Sequence, residues 1–164
     1  MRGRFARTTV LLVVALLLAA CGSSHSDTST STTATRQPPG TALPNIKSSP
    51  FAAETVSYLK GAGSALIAFE TETSTLTSPS SLTSDHCKDV EGRVANDLSG
   101  GMIFDLIRQV KDPVLNESFT QDINNKTKLL AECARGEADS STIALVQKSS
   151  DTVGLLLTQL GLQP

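Results

Sequence analysis

Ser57-Tyr58-Leu59-Lys60 sets a hydroxyl three positions ahead of an amine. On a helix the two would share a face, where a neutral lysine can take the serine proton and free the oxygen for attack on an acyl group. His86 and Cys87 put an imidazole next to a thiol, and both groups ligate zinc. Asn116-Glu117-Ser118 and Asn125-Lys126-Thr127 have the form of acceptor sites for N-linked sugar. Each pattern is short. Each needs partners elsewhere in the chain before it amounts to chemistry.

Those partners do not assemble. Ser57-x-x-Lys60 resembles the nucleophile motif of penicillin-binding proteins and β-lactamases, and Ser150-Asp151 and Lys126-Thr127 echo fragments of that family's other motifs. The fragments are incomplete and in the wrong order, and no strand pattern is present to carry a Lys-Thr-Gly. His25 and His86 are the only histidines, whereas a zinc site needs three or four protein ligands. The chain has no Glu-x-x-His, the spacing that carboxylate-bridged metal bundles use. The expectation is therefore a protein without a metal, a cofactor or a catalytic set, whose ligand-binding residues stay unknown.

The N-terminus is more specific. Arg2, Arg4 and Arg7 precede an apolar run from Val10 to Ala20, far shorter than the roughly 20 residues needed to span a bilayer. A basic head, a short apolar middle and small residues at the exit are the layout of a cleavable export signal. Leu18-Ala19-Ala20-Cys21 resembles the lipobox of bacterial lipoproteins. The resemblance implies removal of residues 1–20, a diacylglycerol on the Cys21 thiol and acylation of the new amine. Several acyl chains, at about 0.8 kcal/mol per buried CH₂, would hold such a protein durably on the extracytoplasmic side of a membrane. In a bacterial lipoprotein the two glycosylation patterns are coincidence.

The chain has three cysteines, and an odd thiol in an exported protein needs an explanation. With Cys21 taking the lipid, Cys87 and Cys133 remain as a natural disulfide pair in a compartment where the bond persists. Loss of the signal removes three of the 14 basic residues, so the remaining chain has 11 basic against 16 acidic residues, formally −5. That balance argues against nucleic acid as a partner.

From residue 21 to 50 the chain is a lipidated cysteine and a tether. Ser and Thr occupy 13 of the 29 positions after Cys21, and only Leu43 and Ile46 are large and apolar. Such a stretch cannot offset its ordering entropy and reads as disordered, with a reach of about 30 Å. Residues 51–164 are long enough for one domain. Val56, Leu59, Gly63, Leu66 and Phe69 fall at helical steps along Phe51 to Thr75. A second helix, with Ser84 as its cap, turns Cys87, Val90, Val94 and Leu98 inward. Ser99-Gly100-Gly101 interrupts it, and Met102 to Val110 resumes the pattern.

Asp112 and Pro113 mark the clearest helix start, with Leu115, Phe119, Ile123, Leu130 and Cys133 inside and Gly136 as the stop. Asp139 or Ser140 opens a last helix carrying Ile143, Val146, Val153, Leu156, Leu157 and Leu160. Short connections predict a small all-α antiparallel bundle of four to five helices. Cys87 in a first turn and Cys133 in a last turn would then meet at one level. Two functions fit: a non-enzymatic interaction module for another envelope protein, or a carrier or sensor of a small apolar ligand. The carrier would use the small residues 61–65 to leave room between helices, although close packing is the rule in protein interiors.

Overall fold

The longest helix begins where the sequence offers the strongest start. Asp112 is extended, and its Oδ1 accepts the Val114 and Leu115 amides at 3.0 and 3.1 Å, while Pro113 fills the first turn. In the computed structural model, which describes residues 42–163, this helix runs over Pro113–Ala134. Four helices precede it: α1 (Ala52–Lys60), α2 (Ser64–Glu72), α3 (Ser84–Ser99) and α4 (Met102–Arg108). Pro113–Ala134 is α5, and α6 (Ser140–Gln159) follows. Short 3-10 turns lie at Ile46–Ser48, Ser74–Thr77 and Pro79–Ser81, and no strand occurs among the described residues. The signal segment, Cys21 and the tether through Thr41 lie outside the described residues.

Among the described residues six helices form where four to five were expected, because the pattern over Phe51 to Thr75 is broken at Gly61–Gly63. The Gly61 and Gly63 amides both donate to the Tyr58 carbonyl, at 3.0 and 2.9 Å, and the axis turns there. The Tyr58 ring lies directly over Gly63, and its hydroxyl donates to the Leu106 carbonyl at 2.8 Å. A Cβ at Gly63 would stand 2.4 Å from the Tyr58 Cε1. The small side chain thus serves close contact. We expect Gly63→Ala to cost about 1–3 kcal/mol, read as a lowered urea midpoint, because the ring must leave its hydrogen bond to make room.

α3 is capped by Thr83 rather than Ser84. The Thr83 Oγ1 accepts the His86 amide at 3.3 Å, while the Ser84 hydroxyl donates 2.7 Å across to the Ala134 carbonyl at the end of α5. Gly100 and Gly101 separate α3 from α4, and Gly101 adopts φ 67°. Asp139 caps α6 by accepting from the Ser141 hydroxyl and the Ser141 and Thr142 amides, which hold its carboxyl down at about 2.

The helices close on one core. Leu59, Leu66, Phe69, Val90, Val94, Ile103 and Ile107 are buried against Leu115, Phe119, Ile123 and Leu130 of α5. α6 adds Val146, Val153, Leu156 and Leu157, whereas Val56, Leu98, Ile143 and Leu160 are only partly covered. Cys87 and Cys133 are joined as expected, with Cα atoms 5.9 Å apart, which locks the start of α3 to the end of α5. The two helices are antiparallel there, and the Ser84–Ala134 hydrogen bond lies at the same level.

One correction concerns the tether. Read from composition it ran disordered to residue 50, but a 3-10 turn forms at Ile46–Ser48, and Ile46 is 3% exposed. Asn45 caps its turn through Lys47, and the Ile46 amide donates to Gln159 Oε1 at 2.9 Å. A single buried isoleucine with a long-range hydrogen bond is enough to recruit this end of a polar stretch into the domain.

Candidate functional site

The inward stripe of α5 steps from Phe119 to Ile123 to Leu130, and the turn between them is filled by charge. Asp122 and Lys126, one helical turn apart, are 0% and 1% exposed. Glu70, 5% exposed, reaches them from α2. The Lys126 ammonium donates to Glu70 Oε2 at 2.5 Å and lies 2.7 Å from Asp122 Oδ2, with the Phe69 ring 5.9 Å below it. The contact with Asp122 Oδ2 is an ion pair without hydrogen-bond alignment, whereas the one with Glu70 is both. From α6, the Ser149 and Ser150 hydroxyls donate to Asp122 Oδ1 at 2.6 and 2.9 Å. The other Glu70 oxygen, Oε1, is buried and accepts no hydrogen bond. Three helices are stitched together by one buried polar cluster.

Two carboxylates share one ammonium, so the cluster carries an excess negative charge out of water. Burial pushes the Glu70 carboxyl up to about 7; attraction to Lys126 opposes this and the nearby Asp122 adds to it. A carboxyl raised in the folded state above its usual 4.5 binds protons more tightly folded than unfolded. Its contribution to stability is full below pH 4.5 and is lost as pH rises through 7. Lowering the pH from 8 to 5.5 should therefore raise the stability of the domain by about 2 kcal/mol, 1.36 kcal/mol for each of the roughly 1.5 pH units below 7. Thermal melts across that interval check it, and Glu70→Gln should flatten the profile.

The cluster opens sideways into a cleft of about 190 Å³. Glu70 and Lys126 form its buried end, Ser150 and Gly154 of α6 form one side, and Thr71, Ser74, Thr77 and Asp151 stand around it. A second, smaller groove of about 140 Å³ lies between α5 and α6. There Leu145, 48% exposed, is surrounded by Gln121, Asn125, Lys148 and Thr152.

The residues singled out from sequence scatter. Ser57 and Lys60 are both exposed on α1, away from the cluster. His86 is partly exposed, and its Nε2 lies 3.0 Å from Thr75 Oγ1. Among the described residues no three His, Cys, Asp or Glu side chains are grouped to hold a metal. The Asn116 amide donates to the Ile107 and Val110 carbonyls, and that of Asn125 to Ser149 Oγ, so both sequons lie on a helix with their nitrogens engaged. Lys126, Ser150 and Asp151, set aside as out-of-order fragments, do come together at the cleft. They meet with the lysine bound between carboxylates, an ammonium rather than a base. Cys21 lies outside the described residues. No family model, no curated protein and no solved structure matches the chain.

Proposed function

We propose that this chain is a membrane-anchored bacterial lipoprotein, held on the extracytoplasmic side by lipid on Cys21, whose bundle is a non-enzymatic interaction module for another envelope protein. The supporting observation is the α5–α6 groove. Leu145 projects into solvent inside a ring of amide, hydroxyl and ammonium side chains, the arrangement of an apolar anchor within a polar rim. No described helix is long and apolar enough to cross a membrane. The alternative carrier of an apolar ligand draws no support at Gly63, where the Tyr58 ring occupies the space beside the backbone.

Photo-crosslinking in intact cells tests the proposal. A photoreactive residue at Gln121 or Thr152 should capture one discrete neighbour, and Leu145→Asp should abolish that product while leaving the melting temperature within about 2 °C, since the side chain is half in solvent. Capture that is diffuse, or indifferent to Leu145→Asp, contradicts the reading. Cys21→Ser should release the protein from membranes or leave its precursor unprocessed, and an unacylated mature N-terminus on the native protein contradicts the anchor.

A further inference from the structure

Among the described residues the exposed large apolar side chains are Phe51, Met102, Leu145 and Leu155, and the last two stand on α6 at 48% and 56% exposed. They belong to one seam. Ser141, Leu145, Lys148, Thr152, Leu155 and Gln159 follow one another at alternating steps of four and three, which keeps them along one side of the helix. Each of them is exposed or half-buried.

The seam reads the same from both ends. Leu145 and Leu155 lie five positions either side of Ser150, Lys148 and Thr152 lie two, and Ser141 and Gln159 lie nine. A second α6 laid against it in the opposite direction, with a twofold axis at the level of Ser150, brings each position opposite its counterpart. Leu145 then meets Leu155 on both sides of the axis, and Lys148 meets Thr152. At the ends, Ser141 is bound to Asp139 and Gln159 to the Ile46 amide, so the four central residues carry the contact. A twofold interface demands this self-complementarity, because one patch must serve as both halves.

Charge points the same way. α6 contains one cation, Lys148, and one anion, Asp151, both exposed, and neither forms an ion pair among the described residues. In the antiparallel arrangement Lys148 of each copy stands within one residue, about 1.5 Å along the axis, of the level of Asp151 in the other. Two unlike pairs result. A parallel arrangement would instead set Lys148 against Lys148 and Asp151 against Asp151. The sequence as a whole is formally −2, whereas the single Lys and single Asp of α6 cancel, so two copies repel least along this helix.

We propose that a second copy of this chain docks on the exposed face of α6, antiparallel about a twofold axis at the level of Ser150. Leu145 packs against Leu155 of the second copy, and Lys148 pairs with its Asp151. The proposal rests on the reading of Leu145 as a docking anchor and names the neighbour that covers it.

Sedimentation equilibrium of the native protein in density-matched detergent micelles provides the test. The contact falls well below the roughly 1,200 Å² of a stable complex, so a reversible dimer is expected with a Kd on the order of 100 μM. Lys148→Asp and Asp151→Lys should each weaken association about tenfold or more by setting like charges across the axis. The double variant should restore it to within about twofold, which only a second copy allows, because a different protein keeps its own charges. Leu155→Asp should be as damaging as Leu145→Asp, although Leu155 does not line the α5–α6 groove. All four side chains are exposed, so melting temperatures should stay within about 2 °C of the native value. Zero-length carbodiimide coupling in a mixture of unlabelled and isotope-labelled protein should join Lys148 of one copy to Asp151 of the other. A monomer at concentrations up to about 1 mM overturns the proposal, as does a double variant no better than the single ones. If a photoreactive Thr152 then still captures a discrete protein of another mass, the docking reading stands with a different occupant. Failure of both results ends both.

Discussion

Reduction of the Cys87–Cys133 bond will lower the melting temperature of the domain by about 15 °C. The bond closes a loop of 46 positions, and the chain entropy it removes from the unfolded state corresponds to roughly 4 kcal/mol. Against a total of 5–15 kcal/mol for an ordinary domain that is a large share, and each kcal/mol is worth some degrees of melting temperature at this size. Cys87→Ala with Cys133→Ala should match the reduced protein, since the side chains are buried and small and the loss lies mainly in the open loop. Differential scanning calorimetry with and without reductant reads the shift. Two freely alkylatable thiols in the native purified protein would contradict the bond itself.

Lys126→Met will cost about as much, for a different reason. The substitution keeps the length of the side chain and the contact with Phe69, but it strands Glu70 and Asp122, both buried, with no cation. Breaking a buried ion pair from one side typically costs 3–5 kcal/mol, because the remaining charge loses its compensation and keeps its desolvation. Replacing all three, as Glu70→Gln, Asp122→Asn and Lys126→Met, should recover most of that loss, since the penalty belongs to the unpaired charges and not to the missing attraction. Urea titrations of the single and triple variants decide the matter. A single variant within 1 kcal/mol of the native protein would show that the cluster is better hydrated than its burial implies.

The elements of the bundle were legible because their ends are chemically marked. Asp112-Pro113 and Asp139 start the helices they were expected to start, Gly136 follows the end of α5, and the cysteine pair meets at the predicted level. Two local assignments failed where neighbouring residues compete for one role. Thr83 took the cap of α3 because Ser84 had a partner on α5, a contact 50 positions away that no local pattern reveals. Gly61 and Gly63 interrupt a helix whose apolar spacing runs on unbroken, and it took the Tyr58 ring to make that break specific.

The polar cluster was missed for a more general reason. Periodicity is read on apolar residues, and the stripe of α5 was followed through Leu115, Phe119, Ile123 and Leu130 as if the gap before Leu130 were empty. Lys126 fills that gap on the same face, with Asp122 one turn before it, and this spacing is the trace that a buried pair leaves in sequence. Glu70 stands four positions after Leu66 and next to Phe69, on the same buried face of α2, so spacing marked its place and only its charge hid it.

The hydrogen bond from the Ile46 amide to Gln159 Oε1 joins residues 113 positions apart and brings the Ile46–Ser48 turn beside the end of α6. The polypeptide therefore enters and leaves the bundle at neighbouring points. A circular permutant, with residue 163 linked to residue 45 by a few glycines and new ends opened in the exposed stretch after Cys133, would keep every helix pairing of the original. The order in which α1 to α6 are strung is thus separable from the architecture they build.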